Sequence, residues 1–269
     1  MNIVKDVSAF LNSILEKKYL IFQLTRREIK ALYSGSVLGT AWIILEPLAF
    51  MLILWFFFGV GLRSGDVDGA PFIVYLAAGL ISWSFFAETL AASAELIRKY
   101  SFLVKKVDFR LSILPIVNIF SSSLSHLILL AVVVVIAFLN GLKPSLFFLQ
   151  TGYYFFAMCV LLLGLGWLVS SVNVFFSDIS KIVGIFLKFG FWITPIFWRL
   201  DIVPDKYRVL IKMNPMYYII QGYRDSLIYN IPFWEQPYLT AYYWLVTLLN
   251  LLIGALVFRA LRSHFAHVI

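Results

Sequence analysis

Long apolar stretches separated by short charged clusters run through the chain, at approximately residues 37–61, 72–94, 111–139, 145–176, 179–198 and 238–258. Each matches the ~20 residues that a helix needs to cross a hydrocarbon core about 30 Å thick. Lipid offers no partner to a backbone amide, so every stretch is predicted to be helical despite its valines, isoleucines and aromatic residues. Ahead of them, Val7, Phe10, Leu11, Ile14 and Leu15 recur at i, i+3, i+4, i+7 and i+8. That spacing predicts an amphipathic helix lying on the membrane surface. The pattern describes an all-α integral membrane protein: a cytoplasmic N-terminal region with an interfacial helix (1–34), a six-helix transmembrane domain (35–262) and a short cytoplasmic tail (263–269).

The segment at 199–237, between the fifth and sixth stretches, does not fit this simple alternation. Asn214-Pro215 is a good helix start, an N-cap followed by proline at the first helical position. A helix from there to Tyr229 would be roughly 20 Å long, too short for the ~30 Å core. A pair of short re-entrant helices that dip in and return is predicted, beside the outer mouth of a pathway, because non-helical backbone at that depth needs a protein or water cover. An external amphipathic hairpin lying on the lipid is the alternative.

Composition supports the membrane reading: 62% of residues are hydrophobic and 13% charged, against about half and a quarter in soluble domains. The net charge of +8 reflects a bias in placement. Lys17, Lys18, Arg26, Arg27 and Lys30, then Arg98, Lys99, Lys105, Lys106 and Arg110, then Lys181, then Arg259 and Arg262 alternate with the sparsely basic turns holding Arg63 and Lys143. Both termini are therefore predicted to be cytoplasmic. Arg199, Lys206, Arg208, Lys212 and Arg224 break the rule, since they fall in the outer segment. Basic residues that flank spans speak for acidic lipid and against nucleic acid. The first thirty residues hold no uninterrupted apolar core and do not read as a cleavable signal peptide. The single cysteine, Cys159, lies in an apolar run and reads as packing, with no metal site expected.

Ionisable groups inside spans cost about 2.5 kcal/mol or more at the bilayer centre unless they find a partner or water. Glu46, Glu88, His126 and Lys188 are such groups. Glu46, next to Pro47, is either a gate or helix tie or a carboxylate at headgroup level. Glu88 and Lys188 are candidates to pair across helices, and His126 reads as a hydrogen-bonded packing residue. Aromatics make up 18% of the chain, and most clusters near span ends, including 153–156 and 242–244, read as interfacial belts. Sugar rings pack their C–H faces on aromatic faces, so Trp42, Phe189, Trp192 and Phe197 are candidate pathway residues, with Tyr217 and Tyr218 in the outer segment.

Arg27-Glu28-Ile29-Lys30, Tyr33, Ser36-Val37-Leu38-Gly39, Trp42, Glu46-Pro47, Phe176-Ser177-Asp178, Thr194-Pro195-Ile196, Asn214-Pro215 and Tyr223-Arg224 occur in that order along nearly the whole chain. Together they resemble the permease subunit of a type-2 ABC exporter for polysaccharides. The resemblance implies a homodimer joined to two copies of a separate ABC ATPase subunit, in the bacterial inner membrane, exporting lipid-linked O antigen, capsular polysaccharide or teichoic acid. It also implies that this chain binds no cofactor, ATP and Mg being held by the partner. In keeping with that, no G-x-x-x-x-G-K-[ST] loop occurs, and the glycine pairs Gly59/Gly61 and Gly164/Gly166 lie inside apolar runs. The charged segment at 95–110, with Glu95 and Lys99 spaced i, i+4 as on a helix, is the candidate coupling element through Arg98, Lys99, Tyr100, Lys105, Lys106 and Asp108. Asp178 in the 176–181 turn and the N-terminal helix are further candidate contacts. A solvated loop carrying topogenic charge is the alternative reading of 95–110.

Other classes stay open. Another amphipathic lipid or drug could use the same scaffold, an ion-coupled transporter would need an ion-binding cluster or inverted repeat, and an embedded enzyme would need convergent acids such as Asp178, Asp201 or Asp225.

Overall fold

A computed structural model describes residues 15–33, 37–67, 69–104 and 110–268. Val7, Phe10, Leu11 and Ile14 of the predicted interfacial stripe lie outside these residues. Among the described residues the regular structure is helical, apart from one isolated bridge between Val67 and Ala70. Helix α1 is Lys18–Tyr33, α2 Trp42–Leu54, α3 Phe72–Lys99, α4 Leu114–Leu139, α5 Gln150–Phe175, α6 Asp178–Ile193, α7 Asp205–Lys212, α8 Pro215–Arg224 and α9 Pro237–Arg262. A 3-10 turn at Gly39–Ala41 leads into α2, and a π turn at Trp55–Gly61 extends it.

Among the described residues, five helical segments are long and apolar enough to cross a membrane: Gly39–Gly61, Phe72–Lys99, Leu111–Leu139, Leu146–Phe175 and Pro237–Arg262. The stretch expected at 179–198 differs. Its helix α6 has 16 residues, about 24 Å, and then turns to extended backbone at Thr194. Even so, α6 and its extension run antiparallel along most of α3. Ser180 near its start bonds Asn173 at the end of α5, Gly190 sits against Trp83, and Tyr75 donates to the Trp198 carbonyl at 3.1 Å. Proline at 195 ends the helix because the residue before a proline is driven out of the α region.

The central element is α3, buried along most of its length, while α2 and α9 show most of their surface to the outside. It is also longer than its apolar run. Its 28 residues carry residues 95–99, expected in a connecting segment, as the last turn of the span. A buried cluster at the α1 end of the bundle gathers Ile21 and Leu24 of α1 with Leu96, Ile97, Leu114, Val117, Trp167 and Phe258. Helix α1 is itself amphipathic, and its apolar side docks on the bundle through Ile21 and Leu24. A larger cluster fills the middle and the opposite, α8 end.

Without water to drive helices together inside lipid, close approach of small residues supplies the packing. Helices α5 and α9 cross at Gly164 and Gly254, where a Cβ on Gly254 would overlap the Gly164 carbonyl oxygen. A Cβ on Gly164 would lie 2.8 Å from the Leu251 Cα. The segment predicted to be re-entrant comprises α7, largely exposed, and α8, almost wholly buried against α3, α5 and α9. Asn214 caps α8 by accepting from the Met216 amide at 3.0 Å, with Pro215 in the first turn, as the sequence predicts.

Candidate functional site

At the α1 end, one carboxylate ties two parts of the chain together. Glu28 accepts from the Lys99 ammonium and from the Tyr100 hydroxyl, so α1 is bolted to the end of α3. The phenol of Tyr100 is held above its ordinary range, first by burial and then by its bond to the Glu28 carboxylate. Arg27 lies 5.7 Å from the Phe102 ring centre. Arg98 donates to the Val174 carbonyl at 3.1 Å, which carries the same layer across to the α5–α6 turn. There Asp178 makes an exposed ion pair with Lys181 at 3.1 Å. Arg98, Lys99, Tyr100 and Asp178 therefore occupy one polar layer, and Glu28 is its organiser, visible in the sequence only as a member of the Arg27-Glu28-Ile29-Lys30 run. Lys105, Lys106 and Asp108 lie outside the described residues.

A second region is the lateral face formed by α2 and α6. Trp42, Phe189 and Trp192 are exposed there, together with Phe50, Ile53, Phe57, Ile185 and Phe186. Phe197 is different: it is buried, stacked on Phe58 at 4.6 Å and edge-on to Trp192 at 5.1 Å. Gly190 lets α6 approach α3 so closely that its added Cβ would come 2.6 Å from the Trp83 ring. Glu46, Glu88 and Lys188 are all exposed on or beside this face. The pairing of Glu88 with Lys188 considered from sequence does not form within the protomer, where neither enters an ion pair among the described residues.

Tyr217 and Tyr218 are placed elsewhere, buried at the α8 end. The Tyr218 hydroxyl bonds those of Tyr153 at 2.9 Å and Thr240 at 3.1 Å, and its ring stacks on Tyr243 at 4.6 Å. The six candidate pathway residues therefore do not share one surface in this protomer. Tyr154 and Tyr243, read from sequence as parts of interfacial belts, are buried instead. The physical reason is α8: a short helix set among α3, α5 and α9 needs apolar faces around it and hydroxyls for its polar edges, and tyrosine provides both. His126 is a packing residue as predicted, bonded to the Tyr223 hydroxyl at 2.7 Å and stacked on Phe155 at 5.0 Å.

Two of the outer basic residues that broke the charge rule are neutralised locally. Arg199 pairs with Asp201, and Arg208 with Asp205, each at 2.6 Å. Arg224 is fully buried, its guanidinium 3.5 Å from the Tyr75 ring centre. It donates to the Ile196 carbonyl at 2.7 Å and to the Tyr75 carbonyl at 3.3 Å. Gly79 leaves room for it, since a Cβ there would lie 2.9 Å from the Arg224 Nη2. Arg224 thus clamps α8 to α3 and to the extended end of α6, a role that its place in an outer charge cluster concealed.

Residues 19–228 match the ABC-2 type transporter family. The chain belongs to that family. The matched stretch begins in α1 and ends in the π turn after α8, so the Glu28 layer, the α2–α6 face and the Arg224 clamp are all parts of the ABC-2 region. Among the relatives of this ABC-2 chain, the O-antigen export system permease protein RfbA of Klebsiella pneumoniae is 28% identical over 252 residues, covering 93% of this chain and 95% of the relative. The polysialic acid transport protein KpsM of Escherichia coli is 27% identical over 248 residues, 90% of this chain and 93% of its own. The capsule polysaccharide export inner-membrane protein CtrC of Neisseria meningitidis serogroup A is 22% identical over 257 residues, 91% of each chain.

The Glu28 layer of this ABC-2 chain yields a direct expectation. Glu28→Ala leaves the Tyr100 hydroxyl and Lys99 without their shared acceptor, and hydrogen bonds to charged groups are worth about 1.5–3 kcal/mol before discounting for the half-exposed Lys99. The loss falls on α1 alone. Limited proteolysis of the purified protein should cut between α1 and α2 several-fold faster, with α3 to α9 still protected.

Proposed function

We propose that this chain is the transmembrane permease subunit of an ATP-driven exporter, moving lipid-linked polysaccharide of the O-antigen or capsule type across the bacterial inner membrane. The observation that carries the reading is the likeness over at least nine-tenths of the chain to three permeases or transport proteins whose names place them in polysaccharide export. The chain has no phosphate-binding loop of its own, so a separate ATPase supplies the energy, with ATP and Mg on that partner and no catalytic step on this one. Two permeases and two ATPase subunits make the working complex. Six crossings, α6 with its extended end being one, put both termini in the cytoplasm in agreement with the basic residues of the α1 end.

The mechanism is transfer of motion. Closure of the ATPase pair pushes on the Glu28 layer, where α1, the end of α3 and the α5–α6 turn are already joined. A rigid α3 passes that displacement to α6 through the Gly190–Trp83 contact. The α2–α6 faces of the two protomers then separate, and the glycan slides along Trp42, Phe189 and Trp192, whose faces accept sugar C–H surfaces without deep wells. Reconstitution with and without the candidate ATPase tests this. Export of a labelled lipid-linked glycan is expected only with the partner and ATP; glycan flux without the ATPase, or hydrolysis by the purified permease, would refute it.

A further inference from the structure

Three ionisable side chains in the membrane region have no counterion within the protomer, and they lie at one depth. Gly190 of α6 faces Trp83 of α3, and Phe50 of α2 packs on Phe191 of α6 with ring centres 5.9 Å apart. Counting along the helices from those contacts, Lys188, Glu88 and Glu46 fall within about one helical turn of the same level. Glu46 and Glu88 are near enough to repel each other through space. All three are exposed, and none enters an ion pair among the described residues.

Lipid is an unsuitable cover for them. Lys188 is ten residues into α6, about 15 Å from its start, and Trp198, which meets Tyr75 eight residues along α3 from the Gly190–Trp83 contact, lies about as far on the other side, so a lysine stem reaches neither end of the span. Its neighbours Ile185, Phe186, Phe189 and Trp192 are exposed apolar side chains. A second copy of the chain supplies the missing partners. In a dimer whose two-fold axis runs along the membrane normal, every residue keeps its depth in the partner, so Lys188 of one protomer is automatically level with the acids of the other. An ammonium with three donors can bridge two carboxylates.

We infer that Lys188 of each protomer pairs with Glu46 and Glu88 of the other, giving two charge clusters that close the α2–α6 seam of a homodimer at rest. The inference deepens the permease reading and rests on its homodimer. It makes the seam separable, since clusters of this kind are attractive but not interlocked, and it sets a register that an apolar face alone would leave free to slip.

The test uses full-length chains in membranes with the partner ATPase. Lys188→Glu alone and Glu88→Lys alone are each expected to lower export at least about tenfold, because removing one partner of a desolvated charge pair leaves the other uncompensated. Co-expression of the two single variants is the decisive arm. Mixed dimers then carry one lysine and two acids in each cluster, and export should return to about half of the wild-type level, the share of mixed dimers in random pairing. Pairing within one chain predicts no rescue in the mixture, because both chains keep like charges together; that result, or full activity of either single variant, overturns the inference. Should a variant fail to reach the membrane, Lys188→Cys mixed with Glu88→Cys is read instead. A short bis-methanethiosulfonate is added, because two long side chains meeting tip to tip hold their Cα atoms beyond the ~7 Å that a direct disulfide can bridge; a cross-link between the copies supports the clusters, and its absence overturns them. Wild-type protein that is monomeric in mild detergent would defeat the homodimer as well, whereas a dimer lacking rescue and cross-link defeats the charge clusters alone.

Discussion

Gly254→Val is expected to reduce the amount of folded protein recovered from membranes to a small fraction of the wild type. The Cβ would fall on the Gly164 carbonyl oxygen, and Gly164 in turn is closed in by Leu251 backbone and the Asn250 amide. Overpacking of ordinary cores costs about 1–3 kcal/mol, a figure that assumes neighbours able to shift. Here the neighbour is backbone on a helix, and α5 and α9 can separate only as whole bodies. The Asn250 bond to the Leu161 carbonyl at 3.0 Å would go with them. Gly152→Ala is the control: it lies in α5 too, but a Cβ there meets nothing within 4 Å, and alanine favours a helix over glycine by about 1 kcal/mol. Comparing the two variants by yield of monodisperse protein and by melting temperature separates the crossing from a general intolerance of side chains in α5 and α9. Normal yield and melting of Gly254→Val would show that the helices do not meet at this pair.

Arg224→Ala is the second large expected loss, and Arg224→Lys shows why. Arginine satisfies two carbonyls from different elements, Ile196 and Tyr75, while its plane lies over the Tyr75 ring. Alanine leaves both buried acceptors without their donor, at about 1–3 kcal/mol each, and removes a desolvated cation–π contact worth about 2 kcal/mol. These contributions are not strictly additive, so the combined effect is taken as about 3 kcal/mol or more. Lysine keeps the charge and loses the fork, and its compact ammonium cannot lie flat on a ring. The melting temperature should therefore order as wild type, then Arg224→Lys, then Arg224→Ala. In a Phe197→Cys background, the non-helical 194–198 segment should become accessible to cysteine-directed reagents in the same order, the one native cysteine being Cys159. An Arg224→Lys variant indistinguishable from the wild type would mean that charge alone is needed there.

The helices read from apolar stretches are present because backbone satisfaction in lipid allows little else. What apolar length could not show is where a helix stops. Residues 95–99 carry Glu95, Arg98 and Lys99 yet stay helical, since Leu96 and Ile97 are buried in the cluster at the α1 end and Lys99 and Tyr100 find Glu28 on another element. Residues 195–198 are apolar yet not helical, since Pro195 intervenes and Arg224, 28 residues away, takes up the freed Ile196 carbonyl. The Asn214 cap of α8 was legible because both of its signals are local. The clamp role of Arg224 was not, because Tyr75 is 149 residues distant and a lone arginine in a basic segment carries no mark of burial.

The same division runs through the candidate site. Residue order alone is enough to place this chain in the bilayer, to deny it a phosphate loop and to pick out Glu46, Glu88 and Lys188 as charges in the wrong solvent. Whether an aromatic is buried or exposed was settled by packing: Tyr154, Tyr218 and Tyr243 went inward around α8 while Trp42, Phe189 and Trp192 stayed exposed. Every side of a membrane helix can be apolar, so periodicity loses its power to tell inside from outside. Only the crossings made possible by Gly79, Gly164, Gly190 and Gly254 restore that distinction, and those depend on which helices meet.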